Sequence, residues 1–342
     1  METRTRVILC DLEMYHEDAP KPTVADLRLL LKNKLGAKPR HAFSNKFMKS
    51  TNKSFHIHGE MGEMVEYFQI SYSNEQILVV SSKAHSTDSA TFYVFDLYSK
   101  RLLQFLRLNF YISVILVEDK PLIEGGDNLL MTNFETIYKF NLRDILDTKT
   151  GHKSKPQWTT TIPTVVGSDI PFRGVRGMSI QYATCDYGKT QNILYATDFS
   201  RGQIVVLRCS DGKLLKAITH SAIHSPWAMD FNARGELLVS DFRRNEIHVL
   251  KCTLDSVQLL KSFGENELRT PRQVIVDQVT QNIMVYCQET RSICVYDRHG
   301  NYLTSSESSL TLGILQDRLC FDHFTGELLV LDRLTLDVDV LE

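Results

Sequence analysis

The sequence predicts an all-β chain, a six-bladed β-propeller closed by an N-terminal strand in its last blade, with a short N-terminal helical extension. Three observations predict it: a strand motif that returns at a near-constant interval, turn residues between the strands, and a last repeat that lacks its outer strand. The motif is an apolar run ending in Asp198, Asp241, Cys287 or Asp332. Six residues beyond each of these positions a second apolar run begins, at Ile204, Ile247, Ile293 and Val338. The anchors lie 43, 46 and 45 residues apart. A repeat of that size holding several short strands is one propeller blade, a four-stranded sheet that buries its faces against its neighbours.

The elements follow in order. Residues 1–50 do not fit the repeat and read as an extension with one helix, capped near Thr23 and ended by Gly36. From Arg28 to Lys53 this stretch carries eight Lys or Arg and no acid. It reads as a basic arm for RNA or an acidic partner, or as a solvated lead-in. Residues 51–342 form the propeller. A weaker form of the beat gives one blade from Gln76, Phe92 and Leu102, and another from Asn128 and Ile137. An inserted loop follows at about 141–172. Four clear repeats then begin near Met178, Trp227, Gln273 and Arg318. In the second, Trp227 to Phe231 is the inner strand, Leu237 to Asp241 the next, Ile247 to Leu250 the third and Gln258 to Phe263 the outer one. The turns at 210–213 and 298–301 have the Gly and Asn or Asp that tight hairpins need.

The last repeat stops at its third strand. Lys53, Ser54 and Phe55 match the outer-strand segment Lys261, Ser262 and Phe263. The sequence therefore predicts that residues 53–58 pair with 336–341 and seal the ring, removing an open sheet edge.

Composition sets bounds. At 342 residues and 43% hydrophobic, the chain can fill one propeller. A net charge of −2 gives no overall pull toward nucleic acid or membrane. No apolar run approaches the roughly 20 residues of a membrane helix, and a cytoplasmic protein with no membrane partner is expected. The seven cysteines include no CxxC pair and read as buried free thiols, with no zinc spacing.

The strand ending in Leu194, Tyr195, Ala196, Thr197 and Asp198, then Ile204, Val206 and Leu207, then Leu214, Leu215 and Lys216, resembles the NHL repeat. The match is good over 175–342, fair over 66–140 and absent over 1–50. Cys287 replaces the motif Asp, Arg318 to Asp322 lacks the usual Pro-Gly, and Trp227 and Gln273 stand where Gly is frequent. The resemblance implies a six-bladed ring with an exposed recognition face. NHL propellers serve as RNA- and substrate-binding modules of tripartite-motif proteins, as an amidating lyase and as bacterial scaffolds. The resemblance does not choose among these.

Loops leading into inner strands share a face with hairpins joining second to third strands. That face collects arginines: Arg173, Arg176, Arg269, Arg272 and Arg318 in lead-in loops, and Arg201, Arg243, Arg244, Arg291 and Arg333 in hairpins. Phe172, His224, Trp227 and Phe242 lie among them. Planar guanidinium groups suit carboxylate and phosphate and stack on aromatic rings. The alternative is that they brace hairpins or pair with local acids. The expected function is a non-catalytic binding or scaffold propeller holding an acidic or extended protein segment on this face. An RNA-binding propeller is the second reading, and a metal-dependent hydrolase or lyase the third. No catalytic residue, cofactor or metal ligand is assigned, because a cationic mouth repels divalent ions. His220 and His224 have helical metal-ligand spacing, but they stand in a loop. The recurring Asp198, Asp241 and Asp332, and Asp230, Asp277 and Asp322, are expected to hold turns.

Overall fold

The computed structural model describes residues 47, 53–57, 59, 63–83, 89–118, 127–147, 154–162, 174–182, 191–253, 256–306, 318–323, 325–332 and 335–341. The predicted N-terminal helix lies outside them. They form six four-stranded antiparallel sheets arranged as a six-bladed β-propeller. After β1 (Phe55–His56), blade 1 holds β2 (Glu63–Ser71), β3 (Gln76–Lys83), β4 (Ala90–Asp96) and β5 (Leu102–Leu108). Blade 2 holds β6 (Val114–Glu118), β7 (Asn128–Thr132), β8 (Thr136–Asn141) and β9 (Trp158–Thr161). Blade 3 holds β10 (Met178–Gln181), β11 (Ile193–Asp198), β12 (Gln203–Arg208) and β13 (Leu214–Ile218). Blade 4 holds β14 (Pro226–Phe231), β15 (Leu237–Asp241), β16 (Glu246–Cys252) and β17 (Val257–Phe263). Blade 5 holds β18 (Pro271–Val276), β19 (Ile283–Cys287), β20 (Ser292–Tyr296) and β21 (Tyr302–Ser305). Blade 6 holds β22 (Arg318–Asp322), β23 (Glu327–Leu331) and β24 (Asp337–Leu341), and β1 is its fourth strand.

Burial follows position in the blade. Every residue of the second strands β11, β15 and β19 is buried, because each faces a neighbouring blade on both sides. The outer strand β17 alternates between exposed and half-buried positions, the pattern of a strand with one face in water. A register shift recurs in the third strand of four blades, at Val94/Phe95, Val206/Leu207, Val249/Leu250 and Val295/Tyr296. Such bulges add local twist, here where the outer strand pairs.

The ring closes as the last repeat predicts: Phe55 pairs with Val338 and His56 with Asp337. Ile57 is fully buried beyond this pair and its N–H donates to the Leu336 carbonyl at 2.9 Å. Phe55 packs 5.0 Å from Phe95 of blade 1, and Lys53 forms a 2.7 Å ion pair with Glu327.

Within the stretch 141–172, Asn141 caps a short helix α1 (Leu142–Leu146) by accepting from the N–H groups of Arg143 and Asp144. Trp158 to Thr161 then supplies the outer strand of blade 2, so part of the predicted insertion is blade. Trp158 donates its indole N–H to the Cys209 carbonyl of blade 3 at 3.0 Å. Lys139 donates to the same carbonyl at 2.7 Å and pairs with Glu118. Glu118 also accepts from Asn128 and from Asn192 of blade 3. This buried polar network joins blades 2 and 3. The five described cysteines, Cys209, Cys252, Cys287, Cys294 and Cys320, are buried free thiols.

Candidate binding face and central channel

The motif aspartates fix the hairpins of the arginine-bearing face. The Asp241 carboxylate accepts from the backbone N–H groups of His224, Ser225, Arg243 and Arg244 at 2.7, 3.1, 3.2 and 3.2 Å. One side chain thus ties the lead-in loop of blade 4 to its hairpin. Burial alone pushes its carboxyl up, but these donors and the nearby His248 outweigh that and hold it down at about 2. Asp198 holds the hairpin of blade 3, accepting from the Arg201 N–H, Ser200 and Gln203, while the lead-in loop is tied by Ser200 and Thr197, which accept from the Gly174 and Arg176 N–H groups. Blade 5 has Cys287 instead, which offers no such oxygen. There Thr270 takes over: its hydroxyl accepts from the Glu289 N–H at 2.9 Å and its carbonyl from the Gln288 N–H at 3.1 Å.

These hairpins leave His224, Arg201, Arg243, Arg244 and Arg291 exposed. Arg201 stands 3.9 Å from Asp198, and Arg244 lies 2.6 Å from the His224 ring. The side chains of Arg243 and Arg291 meet no acidic group among the described residues. Arg269 is half-buried and donates to the carbonyls of Leu268 and Glu265. Arg173 and Arg333 lie outside the described residues.

The remaining lead-in arginines turn inward. Arg272 and Arg318 are each 9% exposed, and Trp227 is 2% exposed. The Arg272 guanidinium sits 4.7 Å from the Trp227 ring centre, and that of Arg176 5.4 Å from it and 4.9 Å from Phe134. Arg318 lies 5.0 Å over Tyr67 and donates to the Glu66 carbonyl at 2.6 Å. Burial, with Arg318 and Arg272 nearby, lowers the Arg176 pKa to about 10, partly offset by Tyr111 and Glu66. These residues form a belt of stacked cations and rings around the channel mouth rather than an exposed surface. The sequence places all these arginines on one face; it does not separate those that point out from those that point in. One signal was present. Pro226-Trp227 and Pro271-Arg272 occupy equivalent places in neighbouring blades, and residues at the same place on an inner strand converge on the axis.

Below this belt lies a cavity of about 960 Å³. Its walls include Tyr67, Ser179, Gln181 and Asp230, and its rim includes the turn residues Tyr72, Asn232 and His323 of the opposite face. Arg176, Trp227, Arg272 and Arg318 do not line it. Side chains in its wall join neighbouring inner strands. Asp230 accepts from the N–H groups of Phe231 and of Val276 in the next blade, both at 2.8 Å. Gln273 donates to the Leu319 carbonyl and accepts from the Leu319 N–H, both at 2.6 Å. Burial pushes the Asp230 carboxyl up to about 6 despite its two backbone donors. Among the described residues, no group of His, Cys, Asp and Glu side chains could hold a metal ion, and no helix is long and apolar enough to cross a membrane.

No known family matches the chain, and no curated protein is similar to it in sequence. Solved structures are similar to it in fold. The β-propeller domain of Cps50 (Swd1) from Myceliophteria thermophila superposes with a TM-score of 0.53 at 11% identity, covering 84% of this chain and 98% of that one. BBS1N in complex with ARL6DN gives 0.55 at 10% identity, covering 86% and 96%. A putative 6-phosphogluconolactonase from Bacteroides uniformis gives 0.57 at 13% identity, covering 81% and 83%. At such identities the likeness concerns the fold, and the activity must be argued from the site.

Proposed function

We infer that this chain is a non-catalytic binding or scaffold propeller of the NHL type that holds an acidic or extended protein segment against its arginine-bearing face. The observation that carries this reading is the set of exposed basic side chains Arg201, His224, Arg243, Arg244 and Arg291 on adjacent hairpins and lead-in loops. Their backbones are fixed by Asp198, Asp241 and Thr270, so the loops need little ordering on binding, and the cost that remains is the rotamer freedom of the side chains. Arg269 adds a sixth basic group beside them, and Arg173 belongs to the same proposed face. The belt of Arg176, Trp227, Arg272 and Arg318 braces it from beneath. One structural neighbour, BBS1N, is seen in complex with ARL6DN, which supports a protein partner.

RNA recognition by stacking calls for exposed aromatic rings beside the cations. Trp227 is buried, and Phe242 is half-buried, stacked on Trp227 at 4.9 Å. This favours peptide over nucleic acid. The test is fluorescence anisotropy with a labelled oligoglutamate peptide and with oligouridylate, each across a salt series. The peptide is expected to bind, and the double variant Arg243→Glu/Arg244→Glu to lose it. Unchanged peptide binding in that variant removes the face. Tight oligouridylate binding that weakens steeply with salt supports the RNA reading instead.

A further inference from the structure

The cavity on the far side of the arginine belt has no part in docking a segment on the hairpin face. We propose that it is a binding site for a neutral, polyhydroxylated small molecule, a mono- or disaccharide. Its volume of about 960 Å³ suits such a ligand and lies at the upper end of the roughly 300–1,000 Å³ of small-molecule sites.

Three features select the chemistry. The first is the amide content of the wall. Gln69, Gln181, Gln191 and Gln278 stand around one cavity. Gln278 donates to the Phe231 carbonyl at 2.6 Å, and Gln181 donates to the Gly235 carbonyl and accepts from the Tyr195 hydroxyl. This leaves Gln69 and Gln191 as the amides whose donor and acceptor together match a sugar hydroxyl. Gln69 and Gln191 are half-buried, and Gln191 makes no hydrogen bond to a described residue.

The second feature is Ser179. It is 7% exposed and lines the cavity, and its hydroxyl makes no hydrogen bond to a described residue. The hydroxyl opens on the cavity, where it can both donate to and accept from a ligand.

The third feature is charge. Asp230 is the carboxylate in the wall, and Arg234 and Lys251 stand with the turn residues. Arg234 is paired with Glu236 at 2.9 Å. Arg176, Arg272 and Arg318 do not line the cavity. A phosphate-rich ligand would meet the Asp230 carboxylate in the wall, with one cation, Arg234, already committed to Glu236. A neutral one can donate to Asp230, and its C–H groups can meet the apolar wall to which Tyr67, Tyr195 and Phe321 contribute.

The test is isothermal titration calorimetry of the full chain with D-glucose, N-acetyl-D-glucosamine and maltose, with ATP as the anionic comparison. At least one saccharide is expected to bind saturably and ATP not to bind in the cavity. Ser179→Leu fills the wall with an apolar group and abolishes saccharide binding. Gln191→Ala removes a rim amide, leaves the sheets untouched and weakens binding about fivefold, the loss of one hydrogen bond. It decides the matter should the Ser179 variant fail to fold. Arg243→Glu/Arg244→Glu leaves saccharide binding unchanged, so the two sites fail or stand separately. The proposal is overturned if no saccharide binds at millimolar concentration, if ATP competes for the cavity, or if both cavity variants bind as the parent does.

Discussion

The guanidinium carbon of Arg272 lies 4.7 Å from the ring centre of Trp227, and both side chains are buried. Arg176 approaches the same indole from a different blade at 5.4 Å. Trp227 therefore joins blades 3, 4 and 5 at the channel mouth. Replacing it with Ala removes a large buried ring and its two cation contacts. A loss of about 3–5 kcal/mol is expected from the ring alone, read as a lower urea midpoint. Phe at this position keeps most of the packing and should recover more than half of that loss. A Trp227→Ala variant as stable as the parent would show that the belt braces nothing.

The fold was legible because its signals are local and repeated. Asp241 sits at a fixed distance from Ile247 because the hairpin between them has a fixed length. The similarity of Lys53, Ser54 and Phe55 to Lys261, Ser262 and Phe263 revealed the closing strand, since the same place in two blades asks for the same residues. The site was less legible. Arg243 and Arg272 look alike in sequence, yet one faces water and the other packs on an indole. That difference depends on blades more than forty residues away. The cavity left no linear trace, because Gln69, Ser179, Asp230 and Gln273 meet only when the ring closes.

Closure by Phe55 and Val338 makes its own prediction. Phe55 pairs with blade 6 and packs on Phe95 of blade 1, so Phe55→Asp puts a charge where three elements meet. A half-buried ring lost and a carboxylate gained should cost roughly 2–4 kcal/mol. Loss of the seal should also raise hydrogen exchange in β24 more than in β15. Equal exchange in both strands would contradict a seal at this position.

The Glu118–Lys139 pair is buried on both sides, at 4% exposure each. Removing one member leaves the other charge without its partner. Lys139→Met is expected to cost about 3–5 kcal/mol. The double variant Lys139→Met/Glu118→Gln should lose less than Lys139→Met alone, because no buried charge is then left over. A double-mutant cycle measured by chemical denaturation checks this, and additive losses would mean the pair is not coupled.

Gly177 marks a close approach of blades 3 and 4. A Cβ there would stand 2.7 Å from the Trp227 carbonyl oxygen and 2.8 Å from the Ala228 Cα. Both are backbone atoms and cannot swing aside. Gly177→Ala must therefore push two inner strands apart, at an expected cost of about 1–3 kcal/mol. Gly235→Ala is the comparison. Its Cβ meets nothing closer than the Gln181 amide at 3.5 Å, but its φ of +69° strains any other residue. The two variants separate crowding from backbone strain: a neighbouring Trp227→Ala change cannot relieve the first, since the clash is with main chain.

Asp230 gives the protein a pH dependence whose sign can be worked out. Its carboxyl is raised by burial from 3.8 to about 6 in the folded chain. Between those values the native state holds a proton that the unfolded chain has released. Its contribution therefore favours folding at acid pH, declines as pH rises toward 6, and is fully lost above that. From pH 5 to pH 7 the change from this one group is about 1 kcal/mol. Asp230→Asn removes it while keeping the shape, at the expense of one of the two backbone hydrogen bonds to Phe231 and Val276. The variant should therefore be less stable than the parent at pH 5 and close most of that gap at pH 7. Urea denaturation of both proteins at the two pH values checks this. A gap that stays constant would mean that Asp230 is ionised in the fold throughout.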